Sequence, residues 1–304
     1  MRSKSDRGRA DRRVFPPSEI ASVKAVACEL PAQLELPFSR FSIEEIRRVV
    51  IERGVVEAIS ATTLWEWLHD DGLRPWTHRP WIFPRDPDFM GKGSLVLDLY
   101  HRLWDGKPLG EKDFVISADE KTSIQARRRK HPSTPPGADR PGRFEHEYER
   151  KGALAYLAAY DVHRANVFGR CDDTTGIIPF GKLVDHVMEQ EPYRSATRVF
   201  WIVDNGSSHR GQAACERLRK KWSNLILVHT PVHASWLNQV EIYFSILQRK
   251  VLTPNDFKSL QDLERTILAF QDRFSKLGQP FKWKFTRDDL RRYLVKLPDL
   301  PLAA

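Results

Sequence analysis

Apolar positions along this chain switch period several times, and each switch marks an element. Over residues 18–30 the spacing is helical, with Ile20, Val23, Val26, Ala27 and Leu30 recurring at three- and four-residue intervals. Pro31 and Pro37 interrupt the pattern. Ser42 reopens a helix, with Glu45 three residues on as in a capping box, a buried stripe of Ile43, Ile46, Val49 and Val50, and Gly54 as the stop. A turn over 55–60 leads to a further helix over 60–71, with Leu64, Trp67 and Leu68 inside and Gly72 beyond it. Helix, short Gly-containing turn, helix is the outline of a helix-turn-helix, whose second helix would present Ala61, Thr62 and Thr63 to base edges. A small helical bundle that only packs is the other reading of the same pattern.

Residues 73–88 carry four prolines interleaved with Trp and Arg, which predicts a semi-rigid linker; Arg74 and Arg79 are candidates to follow a DNA backbone, and aromatic anchors that simply dock the linker are the other reading. A helix over 89–104 connects it to a different regime, where β-branched and aromatic runs alternate with helical stretches. Strands are expected over 114–117, 122–127, 144–148, 152–161, 167–170, 198–203 and 225–228, with helices over 180–189, 238–251 and 260–276. The first strand pattern ends at Asp119. The run RVFWIV ends at Asp204, where Asn-Gly follows as a turn signal, and Glu241 lies in the first turn of a helix behind a Pro-ended loop. Three carboxylates presented at element ends make a hard-oxygen site suited to Mg²⁺ or Mn²⁺, and two such ions can flank a phosphodiester.

Charge agrees with that chemistry. Lys and Arg number 49 against 40 Asp and Glu, a formal net charge of +9, which favours a nucleic-acid partner. The cations concentrate at Arg127, Arg128, Arg129 and Lys130, beside the metal site expected there, and at Lys282 and Lys284 in a basic aromatic stretch that would line a DNA groove or, equally, form a C-terminal helix and arm packed on the domain or a second subunit. The first 17 residues read as a basic, disordered arm. Three dispersed cysteines exclude a disulfide framework or zinc knuckle and fit a reducing cytosol. With no apolar run of about 18 residues, no membrane span is expected.

The blocks SADEKT, DNGSSHRG and TPVHASWLNQVEIYFS resemble the three catalytic blocks of DDE transposases of bacterial insertion sequences, in the mariner-superfamily branch. The resemblance implies an α/β fold, an RNase H-like mixed five-stranded sheet flanked by helices, behind an N-terminal all-α helix-turn-helix domain. It implies that Asp119, Asp204 and Glu241 are the catalytic, metal-holding triad for two Mg²⁺ or Mn²⁺ ions. Its partners would be double-stranded DNA, as transposon ends and target, and a second copy of the chain in a synaptic dimer, in the cytoplasm with the nucleoid. Asn238, His209 and His233 are candidate supporting residues. The expected domains are an arm at 1–17, helix-turn-helix at 18–72, linker and connecting helix at 73–110, catalytic domain at 111–275 and basic arm at 276–304. The family implies two helix-turn-helix units in tandem. No complete first unit fits before Ser18, so either a single unit serves or the frame begins further upstream. A Mg²⁺-dependent nuclease that never joins strands, and a DNA-binding remnant without activity, are the rival readings.

Overall fold

A computed structural model describes residues 15–78, 84–206 and 211–296. The chain divides into two compact units, at residues 1–81 and 82–304.

The first unit is helical. Helix α1 (Pro17–Cys28), α2 (Ile43–Glu52) and α3 (Ala61–Asp70) bury Val23 and Val26, Ile46 and Val50, and Leu64 and Leu68 around one core. The expected capping box is present, the Ser42 hydroxyl accepting from the Glu45 backbone and the Glu45 carboxylate accepting from the Ser42 N–H. Ser60 caps α3, its hydroxyl accepting from the Thr63 N–H at 3.0 Å. Gly54 ends α2 at φ +68°, a left-handed conformation that an L side chain resists. One expectation fails here. The first helix stops before Leu30, which is extended and 56% exposed, because Pro31 keeps the preceding residue out of the helical region.

The second unit is built on a sheet. Helix α4 (Phe89–Tyr100) leads through a small hairpin of β1 (Leu103–Trp104) and β2 (Lys107–Pro108) into β3 (Asp113–Arg129). Then follow β4 (Tyr148–Asp161), β5 (Asn166–Asp172), α5 (Ile177–Met188), β6 (Arg198–Val203), α6 (Gly211–Lys221), β7 (Leu225–His229), α7 (Val240–Lys250), α8 (Leu260–Leu277) and α9 (Arg287–Val295). The five main strands lie in the order β5-β4-β3-β6-β7, with β3/β4 and β4/β5 antiparallel and β3/β6 and β6/β7 parallel. This is the mixed five-stranded sheet flanked by helices that the sequence implied. Helix α5 covers one face through Phe180, Leu183, Val184 and Val187, with Leu218 of α6 in the same core; α4, α7 and α8 cover the other through Leu97, Val240, Tyr243, Leu263 and Ile267.

Two strand boundaries differ from the sequence reading. The strands expected at 114–117 and 122–127 are one continuous 17-residue strand. The polar run at 119–123 does not break it, because the irregularity is absorbed as a register shift between Lys121 and Ile124, with Ser123 at φ +55°. Asp119 therefore sits within β3 and not at its end. The expected strand at 144–148 merges from Tyr148 onward into β4. The stretch expected as a C-terminal basic arm forms α9, seated so closely on α4 that a Cβ at Gly93 would lie 2.8 Å from Leu290. Among the described residues no helix is long and apolar enough to cross a membrane.

Candidate active site

Strand parity decides which face the acids share. On β3, Ile116 and Ala118 pack into the core under α5, while Val115 packs into the core under α7. Ser117 and Asp119 continue the Val115 side by the two-residue period of a strand. On β6, Phe200 and Ile202 face the α7 side, so the next residue of that parity, just past the strand, is Asp204. Register decides how far apart they are along the strands. Ser117 is level with Ile202, the last partners of the parallel β3/β6 pair, so Asp119 and Asp204 each follow two residues beyond that point, and the Asp204 charge acts on the Asp119 carboxyl. At the far end of the same pair, the Arg198 guanidinium grips the buried Asp113 carboxylate with two hydrogen bonds of 3.0 and 2.6 Å, in register with each other, which fixes that alignment.

Glu241 arrives from α7, and the start of α7 is tied to β3. The Val240 N–H donates to Ser117 Oγ at 2.9 Å, and Ser117 in turn donates to Asn238 Oδ1. That leaves the Asn238 amide nitrogen to donate to the Ala118 carbonyl at 3.0 Å and to Asp119 Oδ2 at 3.2 Å. The Tyr100 hydroxyl, from α4, donates to the Leu237 carbonyl at 2.6 Å and accepts from the Gln239 N–H at 3.2 Å. Asn238, a candidate supporting residue, is fully buried and extended, just outside the helix, and its amide serves Asp119.

The electrostatics are those of like charges held together. Burial, then the Asp204 charge and more weakly the Glu241 charge, push the Asp119 carboxyl up to about 7, against the pull of the Glu120 N–H. Burial raises Glu241 as well; Lys121 opposes the shift and Asp204 adds to it. Each of the two Asp residues is turned partly toward protein donors: Asp119 accepts from Glu120 N at 2.8 Å, and Asp204 from Gly206 N at 2.7 Å. Among the described residues no group of three or more His, Cys, Asp or Glu side chains is arranged to hold a metal ion. The donor set nevertheless matches a hard cation in kind, being all carboxylate oxygen, with a mutual repulsion that positive charge would relieve.

Of the other candidates, His233 is exposed, at φ +61°, on a cleft of about 430 Å³ that Asp204, Thr230 and Ser235 also line. His209 and Arg79 lie outside the described residues, as do residues 1–14. Thr62 is exposed at the start of α3, while Thr63 bonds to Ser60 in the cap at 2.8 Å. Arg74, Arg128, Lys282 and Lys284 are exposed. The aromatics beside the two lysines pack inward, Trp283 against Tyr100 and Phe281 against Tyr160. Arg129 is committed to the Asn255 and Glu145 carbonyls at 2.9 Å each, and Lys130 is ion-paired with Glu147.

Sequence reasoning missed Ser117, Tyr100 and Asp86. Asp86, 6% exposed, accepts from Lys92 at 2.8 Å and from the Val232 N–H at 2.9 Å, anchoring the loop that lines the cleft. None of the three carries a motif; only a buried polar residue inside an apolar strand, Ser117, stood out in principle.

Residues 115–264 match the family described as DDE superfamily endonuclease, a span that holds all three acids. The chain carries a DDE endonuclease domain. The mariner Mos1 paired end complex with Mg is a solved structure of similar fold (13% identity, 96% of this chain and 82% of that one, TM-score 0.56), and the Mos1 mariner paired end complex with Mn also matches (15% identity, 93% and 83%, TM-score 0.46). No curated protein sequence matches the chain. The DDE domain thus places this chain among the endonucleases and polynucleotidyl transferases whose fold is an RNase H-like sheet.

Proposed function

We propose that this DDE enzyme is the transposase of a bacterial insertion sequence, and that Asp119, Asp204 and Glu241 are its catalytic carboxylates. The observation that supports this most is that Asp119 on β3 feels the charges of Asp204, just past the adjacent parallel strand β6, and of Glu241, whose helix is bonded to the same stretch of β3. Asp119 and Asp204 would share two Mg²⁺ or Mn²⁺ ions and Glu241 would complete the set. When bound, the ions supply Lewis-acid activation of the attacking oxygen and neutralise charge on the leaving one.

The protein's own part is to gather and orient negative charge. Asn238 holds one oxygen of Asp119 and so fixes the direction of the other lone pairs; Ser117 fixes the Asn238 amide. Lys121, which offsets the charge of Glu241, limits the cost of bringing a third carboxylate close. The reaction is hydrolysis of a phosphodiester at each transposon end, freeing a 3′-OH, followed by attack of that 3′-OH on target DNA. Helix α3, with Ala61, Thr62 and Thr63 leading, would read the transposon end, and the exposed Arg74, Arg128, Lys282 and Lys284 would hold phosphates. Two copies would act together on paired ends in the cytoplasm, as the Mos1 chain of similar fold was solved in a paired end complex.

The test is cleavage and plasmid joining with Mg²⁺, comparing wild type with Asp204→Asn. Joined products that vanish in the variant support a transposase. Cleavage without joining reduces the reading to a nuclease, and unchanged activity in the variant removes the triad assignment.

A further inference from the structure

The distal half of β3 and the connection from α7 to α8 enclose a groove of about 530 Å³ that begins at Lys121, two residues beyond Asp119. Its lining includes Lys121, Arg127 and Arg129 and not one Asp or Glu. In a chain with 40 acidic residues, an acid-free cationic groove next to a carboxylate cluster is a marked separation of charge. The guanidinium of Arg127 lies over the Tyr148 ring at 4.6 Å, and its side-chain hydrogen bonds reach only the neutral Gln125. Among the described residues neither Arg127 nor Lys121 makes a direct ion pair with a carboxylate, although the Lys121 charge acts on Glu241. Asn255 holds the floor, accepting from Arg127 N at 2.9 Å and donating to the Gln125 carbonyl at 2.7 Å. At the rim Phe144 is 53% exposed, with Arg129 over its ring at 5.1 Å.

A positive channel edged by an open aromatic face is the chemistry that holds a single nucleic-acid strand, phosphates on the cations and a base on the ring. The strand rise puts Lys121 about 7 Å along from Asp119, the order of one backbone repeat. We propose that this groove carries the DNA strand leaving the carboxylates, with Lys121 and Arg127 on its phosphates and Phe144 stacked on an unpaired base. The proposal rests on the transposase reading and adds where, and in what form, the strand runs.

The experiment uses the full chain and a labelled single-stranded oligonucleotide of mixed sequence, followed by fluorescence anisotropy across a salt series, with the matching duplex alongside. Arg127→Gln weakens single-strand binding and lowers the slope of log K against log salt by about 0.7, one phosphate contact on a single strand. Phe144→Ala weakens the single strand by about tenfold with less effect on the duplex. Thr122→Glu places an acid at an exposed position of the groove without touching packing, and it weakens binding even if Arg127→Gln perturbs β3. Wild-type affinity and salt slope in both Arg127→Gln and Thr122→Glu overturn the groove. An Asp204→Asn variant that still cuts DNA overturns the carboxylate reading instead, so the two failures are told apart.

Discussion

Two buried aspartates sit three positions apart on the same pair of strands and have opposite fates. Asp161 pairs across β3/β4 with Ile116, and Asp119 with Ala158. Burial is the first cause raising the pKa of both. Around Asp161 every neighbour is a donor: the His163 and Arg164 N–H groups at 3.1 Å and the Tyr193 hydroxyl at 2.7 Å. Asp119 also has donors, the Glu120 N–H and the Asn238 amide, but Asp204 and Glu241 add their charges to its burial and raise its pKa further. Burial alone therefore does not mark a functional acid. Asp161 is answered by donors alone, whereas Asp119, the acid we propose as catalytic, also faces two carboxylates, at a standing cost in stability that the folded scaffold has to offset.

The comparison can be broken most sharply at Asp204. Asp204→Asn removes charge from the cluster and is expected to reduce DNA cleavage by more than about a hundredfold, since even outer-shell changes at metal sites cost about 10–100-fold, with the circular dichroism unchanged. Asp161→Ala leaves three donors without an acceptor and is expected to lower stability in urea unfolding by about 2–4 kcal/mol. Ser117→Ala tests the support of Asp119. It frees the Asn238 amide to turn and is expected to lower kcat by about tenfold or more while leaving the KM for DNA near wild type; a KM change with normal kcat argues against this role. Asp119→Asn relieves repulsion, so with divalent ions chelated at neutral pH it should be more stable than wild type by about 1–2 kcal/mol, in contrast to any substitution at Asp161.

The smallest effect concerns pH. Hydrogen bonds from Arg198 hold the Asp113 carboxyl below the usual carboxylate range, against its burial. A lowered folded-state pKa gives stability that is present above the unfolded value of about 3.9 and lost as pH falls through the folded one. Asp113→Asn should flatten the acid limb of a stability-against-pH curve below about pH 4 and leave the slope at neutral pH unchanged. Because this pair aligns β3 with β6, the variant should also lose some cleavage activity, which a purely surface ion pair would not affect.

The sequence carried the acids and their local settings. RVFWIV running into Asp204-Asn205-Gly206 is legible as strand and turn, and the helical spacing after Pro231 is legible as α7, because period and turn chemistry are local properties. It also carried the helix caps of the first unit, where Ser42, Glu45 and Gly54 act on neighbours three or four residues away. One local reading failed and one stayed open for the same reason. A polar run within β3 looked like a strand end, and the basic stretch after α8 read equally as an arm or a packed helix, because what keeps the first in the sheet and folds the second onto α4 is pairing with residues distant in the chain.

What only the tertiary structure decided is which groups meet. No spacing in the sequence says that Ser117 is level with Ile202, yet that register sets Asp119 beside Asp204. No motif says that Tyr100 and Ser117 brace the loop before Glu241, or that the cations of β3 divide into Arg129, tied to backbone carbonyls, and Arg127, facing an open groove. Composition and period act along the chain. Register, side-chain amide orientation and charge grouping act across it, and they are fixed only when the sheet has formed.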